Sequence, residues 1–163
     1  MRIFVLCLTE IVLLVLDKSF IPFFDFNGYY PSLLTIYYCV YSLNNEKYNV
    51  TLFSFFVGFF QDVFFYNGFG INILLNLIVG LILSKLSNKY NKNKFIVYVL
   101  LITFSLMFKS LLITLYINIV LKININVSVF YYEFLYTFVL VLFMYPIFNS
   151  IFKSKLFEKK LEF

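Results

Sequence analysis

Four charged residues stand inside otherwise apolar stretches of this 163-residue chain: Glu10, Asp62, Lys109 and Glu133. A charge in hydrocarbon is expensive and usually faces a partner or a wet cavity. Any chemistry in the chain would therefore centre on these four. A proton or ion relay needs several aligned carboxyls or a histidine, and the chain has no His. No spacing joins the acids to a second acid, to a nucleophile with its base or to a metal set. Cys7 and Cys39 lie in apolar runs and are too few for a disulfide framework or a four-ligand zinc site. The expectation is no catalytic residue, no cofactor and no metal.

Lys109 and Glu133 are candidates for an intramembrane ion pair. Lys109 lies roughly 18 Å from the outer end of its helix and Glu133 roughly 10 Å, at 1.5 Å per residue. A long lysine stem spans the gap of roughly 8 Å by leaning outward. Asp62 has different company, in the stretch Gly58-Phe59-Phe60-Gln61-Asp62 followed by Gly68-Phe69-Gly70-Ile71-Asn72. Gly58 and Asp62 are four apart, on one helix face. A glycine there lets a neighbouring helix come close, and the carboxylate can bond across the contact. Gly68 and Gly70 suit a tight reversal. Asn72 opens the next helix, where its side-chain oxygen can accept from exposed N–H groups. Gly80 gives that helix its own contact point, and Asp62 lies near its positive N-terminal end. The expected result is a clamp on a helix hairpin.

The elements that must position these residues follow from composition. The chain is 63% hydrophobic and 13% charged, against about 45–50% and about 25% in soluble domains. That excludes an ordinary soluble enzyme. Phe, Tyr, Ile, Asn and Lys are abundant and Ala is absent, a pattern that A/T-rich codons explain better than ligand stacking does. A membrane span needs roughly 20 apolar residues. The apolar runs are 3–24, 29–43, 48–66, 71–86, 95–121 and 127–152. They predict an all-α integral membrane protein with about six transmembrane helices in one bundle, residues 1–163 forming a single domain. The first two runs could instead be one span plus a re-entrant segment, or a bent first helix with a short second one.

Six crossings put both termini on one side. Ten of the thirteen basic residues then fall on that side, Lys18 and Lys122 fall opposite, and Lys109 lies within a span. Lys and Arg concentrate on the cytoplasmic side, so both termini are expected there. The tail 153–163 mixes lysines with Leu and Phe and could lie along anionic headgroups. Membrane lipids are expected partners, and nucleic acid is not.

At these residues the chain resembles the bacterial rod-shape-determining protein MreD family. The resemblance rests on Pro31 after a Gly-bearing loop, Gly28-Tyr29-Tyr30-Pro31, on the Gly58 to Asp62 helix, on Gly68, Gly70 and Asn72, and on Gly80. Ser32 follows Pro31 where the family often has an acidic residue. The resemblance implies a non-enzymatic subunit of the side-wall peptidoglycan machinery in the bacterial cytoplasmic membrane. Its implied partners are a membrane-anchored MreC-like protein, the actin-like MreB, and a glycosyltransferase with its penicillin-binding transpeptidase. It also implies a fold similar to the substrate-binding subunits of energy-coupling-factor vitamin transporters.

Two other classes compete. A transporter substrate-binding subunit has similar size and span count, but such subunits commonly carry small residues at spacing four in the first helix. Here that helix offers no Ala or Gly pair. An intramembrane enzyme acting on a lipid would rest on Glu10, Asp62 and Glu133 alone, which sit at different depths.

Overall fold

The computed structural model describes residues 2–19, 32–65, 70–89, 95–122 and 128–153. Six α-helices account for nearly all of them: α1 (Arg2–Ser19), α2 (Leu33–Asn44), α3 (Lys47–Phe65), α4 (Ile71–Lys89), α5 (Phe95–Tyr116) and α6 (Ser128–Lys153). No strand occurs among the described residues. Pro31, Gly68 and the tail beyond residue 153 lie outside them.

Several boundaries differ from the apolar runs. α2 begins at Leu33 rather than near residue 29, because Ser32 caps it. The Ser32 hydroxyl oxygen accepts from the Thr35 N–H at 3.2 Å, which satisfies one of the N–H groups that a helix start leaves open. α4 continues to Lys89. α5 loosens into a π-helical turn over Ile117–Leu121, and Lys122 closes it in the left-handed region at φ 55°.

α2 is the axis of the bundle. At 12 residues it is about 18 Å long, short of a hydrocarbon core of about 30 Å. Nine of those residues are buried, and α2 packs against each of the other five helices. Its aromatic side is gripped from both flanks. Tyr37 meets Phe148 and Phe152 of α6 with ring centres 5.3 and 4.8 Å apart, and Tyr41 meets Phe53 of α3 at 4.4 Å. α5 and α6 join through Tyr98 and Tyr145, stacked at 6.3 Å.

The outer helices are turned the opposite way from those of a soluble bundle. Their exposed faces are apolar: Leu8, Ile11 and Val15 on α1, Phe55 and Phe56 on α3, Leu74 and Ile82 on α4. Phe104 on α5 and Phe143 on α6 are 63% and 65% exposed. The buried faces carry the polar groups, among them Glu10, Asp17, Gln61, Asp62, Asn76 and Lys109. A soluble helix shows the reverse pattern. By length and composition, Phe95–Val120 and Glu133–Phe152 are apolar enough to cross a membrane, and Ile71–Ser87 is a shorter apolar helix. α1 and α3 are diluted by internal charges and amides, and α2 is too short.

Candidate functional site

The polar groups of α3, α4 and α5 meet in one buried seam. Asp62 stands one turn before the end of α3 and is buried. One carboxylate oxygen accepts from the Gly70 N–H at 2.8 Å and the Ile73 N–H at 3.4 Å, and the other accepts from the Asn72 N–H at 2.9 Å. A side chain of α3 thus caps α4, and its negative charge meets the positive end of that helix. Gly70 adopts φ +96°, which an L side chain rarely takes. A Cβ on Gly58 would strike the Cα of Ile73 and come within 2.7 Å of its nitrogen. The two helices therefore touch backbone to backbone beside the cap.

The Lys109 ammonium donates to Gln61 Oε1 at 2.8 Å and to Asn76 Oδ1 at 2.7 Å. Asn76 Nδ2 donates to the same Gln61 oxygen at 3.0 Å. The amide orientations are fixed by this triangle, since an ammonium only donates. These bonds run to α3 and α4, whereas the sequence reading paired Lys109 with Glu133. Glu133 is buried on α6.

Asn76 also extends the seam to α2. Its carbonyl accepts from the Tyr38 hydroxyl, which lies 2.8 Å from Ser54 Oγ of α3. A Cβ on Gly80 would collide with that hydroxyl and sit 2.9 Å from Ser54 Oγ. Gly80 thus leaves room for a polar crossing of three helices. Asn72 does not supply the cap expected of it: Asp62 does, and Asn72 Nδ2 is buried with no hydrogen-bond partner.

A second clamp lies at Asp17, which is not among the four charged residues singled out from the sequence. Asp17 is 1% exposed near the end of α1. It accepts from the Ser32 hydroxyl at 2.5 Å, the Leu33 N–H at 2.7 Å and the Leu34 N–H at 3.0 Å. The α1–α2 hairpin is therefore closed by the same device as the α3–α4 hairpin. The available signal was helical spacing: Leu6, Glu10, Leu13, Leu14 and Asp17 share the buried face of α1.

The seam joins four helices through amides, hydroxyls and one ammonium, and the Asp62 carboxylate is spent on backbone donors. Among the described residues no group of three or more His, Cys, Asp or Glu is placed to hold a metal ion. Apolar surfaces outside and joined polar groups inside define an all-helical membrane protein. The chain matches the family model described as rod shape-determining protein MreD over residues 1–155, and it belongs to the MreD family. Membership implies a role in rod shape determination. No curated protein and no solved structure matches the chain, so the likeness to energy-coupling-factor subunits gains no support.

Proposed function

We propose that this chain is a non-enzymatic membrane scaffold of the bacterial elongation machinery, holding an MreC-like protein through helix contacts in the bilayer. The observation that carries this reading is the MreD match over residues 1–155. Supporting it, Asp62 and Lys109 are engaged in joining helices, and the exposed faces are apolar. Gly58, Gln61, Asp62, Gly70, Asn72 and Gly80 serve in this reading to keep the α3–α4 hairpin rigid, and Pro31 and Gly68 complete the motif in sequence. The chain crosses the cytoplasmic membrane six times with both termini inside. Through MreC it acts with actin-like MreB and with the glycosyltransferase and penicillin-binding transpeptidase that build the side wall.

Affinity purification of the tagged chain from native membranes tests the reading. It should recover an MreC-like protein, and depletion of the chain should turn rods into spheres. A lone monomer with no cell-wall partner, from cells whose shape is indifferent to depletion, would overturn it.

A further inference from the structure

α1 packs chiefly on α2, and it is anchored most firmly near its end. There Asp17 accepts from the Ser32 hydroxyl and from the Leu33 and Leu34 N–H groups. Toward its start, the side-chain bond to α2 is a neutral one, between Thr9 Oγ1 and the Tyr37 hydroxyl at 3.0 Å. Beside it lies Glu10, 0% exposed, with no hydrogen-bond partner for either carboxyl oxygen. The titratable groups that face it are Cys7 on its own helix and Tyr37 on α2, and neither is a cation. Thr9 donates to the Leu6 carbonyl at 2.9 Å, so the Tyr37 proton is spent on Thr9. Beyond the Tyr37 ring stand Phe53 of α3 and Phe148 and Phe152 of α6. Arg2 and Lys18 are each eight residues from Glu10 along α1, roughly 12 Å at 1.5 Å per residue. In that position an ionised carboxylate costs far more than a neutral acid.

We propose that Glu10 is a proton-controlled latch between α1 and α2: with its proton in place α1 lies closed against α2, and when the proton leaves, the first half of α1 swings away about the Asp17 clamp. Ionisation sends one proton to bulk water and leaves one negative charge where no strong donor is free. Water is then the source of donors, and the start of α1 is the nearer way to it. Hydrating a carboxylate outweighs the single neutral Thr9–Tyr37 bond that opening breaks. The Asp17 clamp stays shut, because its three bonds lie seven residues further on, about two turns along the helix. The opposite face of Leu8, Ile11, Val12 and Val15 is exposed and apolar, and it meets lipid before and after the swing. Only the closed form holds the proton, so closure belongs to low pH and opening to high pH.

Spin-label distances in the full chain, held in lipid nanodiscs, test the latch. The background carries Cys7→Ser and Cys39→Ser. One label pair sits at Leu8→Cys and Ile151→Cys, toward the start of α1 and the end of α6. A second pair sits at Leu16→Cys and Leu135→Cys, toward their other ends, and all four positions are exposed. From mildly acidic to mildly alkaline pH the first distance should lengthen by several ångströms while the second holds. Adding Glu10→Gln, which cannot ionise, should keep the first distance short throughout. Infrared difference spectra follow the proton itself: the chain with Glu10 should lose a carboxylic-acid C=O band over the same range, and Glu10→Gln should not show that loss. A first distance that stays constant overturns the proposal, as does lengthening in Glu10→Gln, equal lengthening of the second distance, or an acid band that persists at alkaline pH. Should Glu10→Gln fail to fold, the distances and the band of the chain with Glu10 still decide.

Discussion

At the scale of single residues, the two glycines of the α3–α4 hairpin matter for different reasons, and substitution separates them. Gly58→Ala places a Cβ against the backbone of Ile73, which can yield only if the helices part. It should destabilise the fold by about 1–3 kcal/mol, as overpacking does. A Cβ on Gly70 meets nothing within 4 Å, but φ is +96°, so Gly70→Ala should cost about 1–2 kcal/mol through the backbone alone. A Gly70→Asn variant should recover part of that loss, because Asn tolerates left-handed angles, whereas Gly58→Asn should be worse than Gly58→Ala. Unfolding by SDS titration in mixed micelles reads all four. Lys109→Met tests the seam itself. It leaves Gln61 Oε1 and Asn76 Oδ1 without their charged donor, an expected loss of about 1–3 kcal/mol. Adding Gln61→Leu should lose less than the sum of the two single changes, since the pair shares a bond. Strict additivity in the same titration would mean that the triangle contributes nothing. Much of this was legible: Gly58 and Asp62 at spacing four, then Gly70, announce a close hairpin. Asn76 was not, because a lone amide in an apolar helix looks like ordinary dilution until a lysine from a distant helix is seen to end on it. Depth arithmetic set Lys109 opposite Glu133, but depth along the membrane does not announce that Gln61 and Asn76 receive the ammonium.

At the scale of elements, the two hairpins repeat one design. In each, an aspartate near the end of the first helix caps the start of the second, Asp17 for α2 and Asp62 for α4. Each Asp→Ala change should cost about 1 kcal/mol, as loss of a helix cap does. The two clamps share no partner, so the double variant should lose the sum within about 0.5 kcal/mol. A double loss well short of the sum would mean that the hairpins open as one unit. The Asp62 clamp could be read ahead because only eight residues separate it from the start of α4 at Ile71. Asp17 is 15 residues from Ser32, and no local pattern announces a contact at that range. The burial of α2 was also hidden, since a helix packed in protein and a helix facing lipid have the same apolar composition. Its shortness was visible, and the reason is now plain. A helix packed against five others need not match the bilayer in length, because its sides face protein rather than lipid.

At the scale of the whole molecule, internal contacts bear on how the chain crosses the membrane. The Asn44 side chain, at the end of α2, donates to Asn149 at 3.2 Å, one turn before α6 ends. The Asn45 carbonyl lies 3.5 Å from Ser84 Oγ, near the end of α4. The ends of α2, α4 and α6 therefore share one side of the bundle. The two aspartate clamps hold the starts of α2 and α4 at the ends of α1 and α3, toward the other side. This up-and-down arrangement returns the chain to its starting side after each hairpin, although α2 is only about 18 Å long. The basic residues then decide which side is which. Lys85, Lys89, Lys92 and Lys94 cluster around the end of α4, and four more lysines follow from residue 153 onward, so that side should be cytoplasmic. Single cysteines at Asn67, Asn91, Asn124 and Ser154 make the prediction measurable. Cys39 is buried and Cys7 half-buried, so the unaltered chain serves as the blank. A membrane-impermeant thiol reagent applied to spheroplasts should label positions 67 and 124, and should reach 91 and 154 only after the membrane is opened. Labelling of 91 and 154 from outside would invert the orientation. Opposite sides for 67 and 124 would break the six-span count.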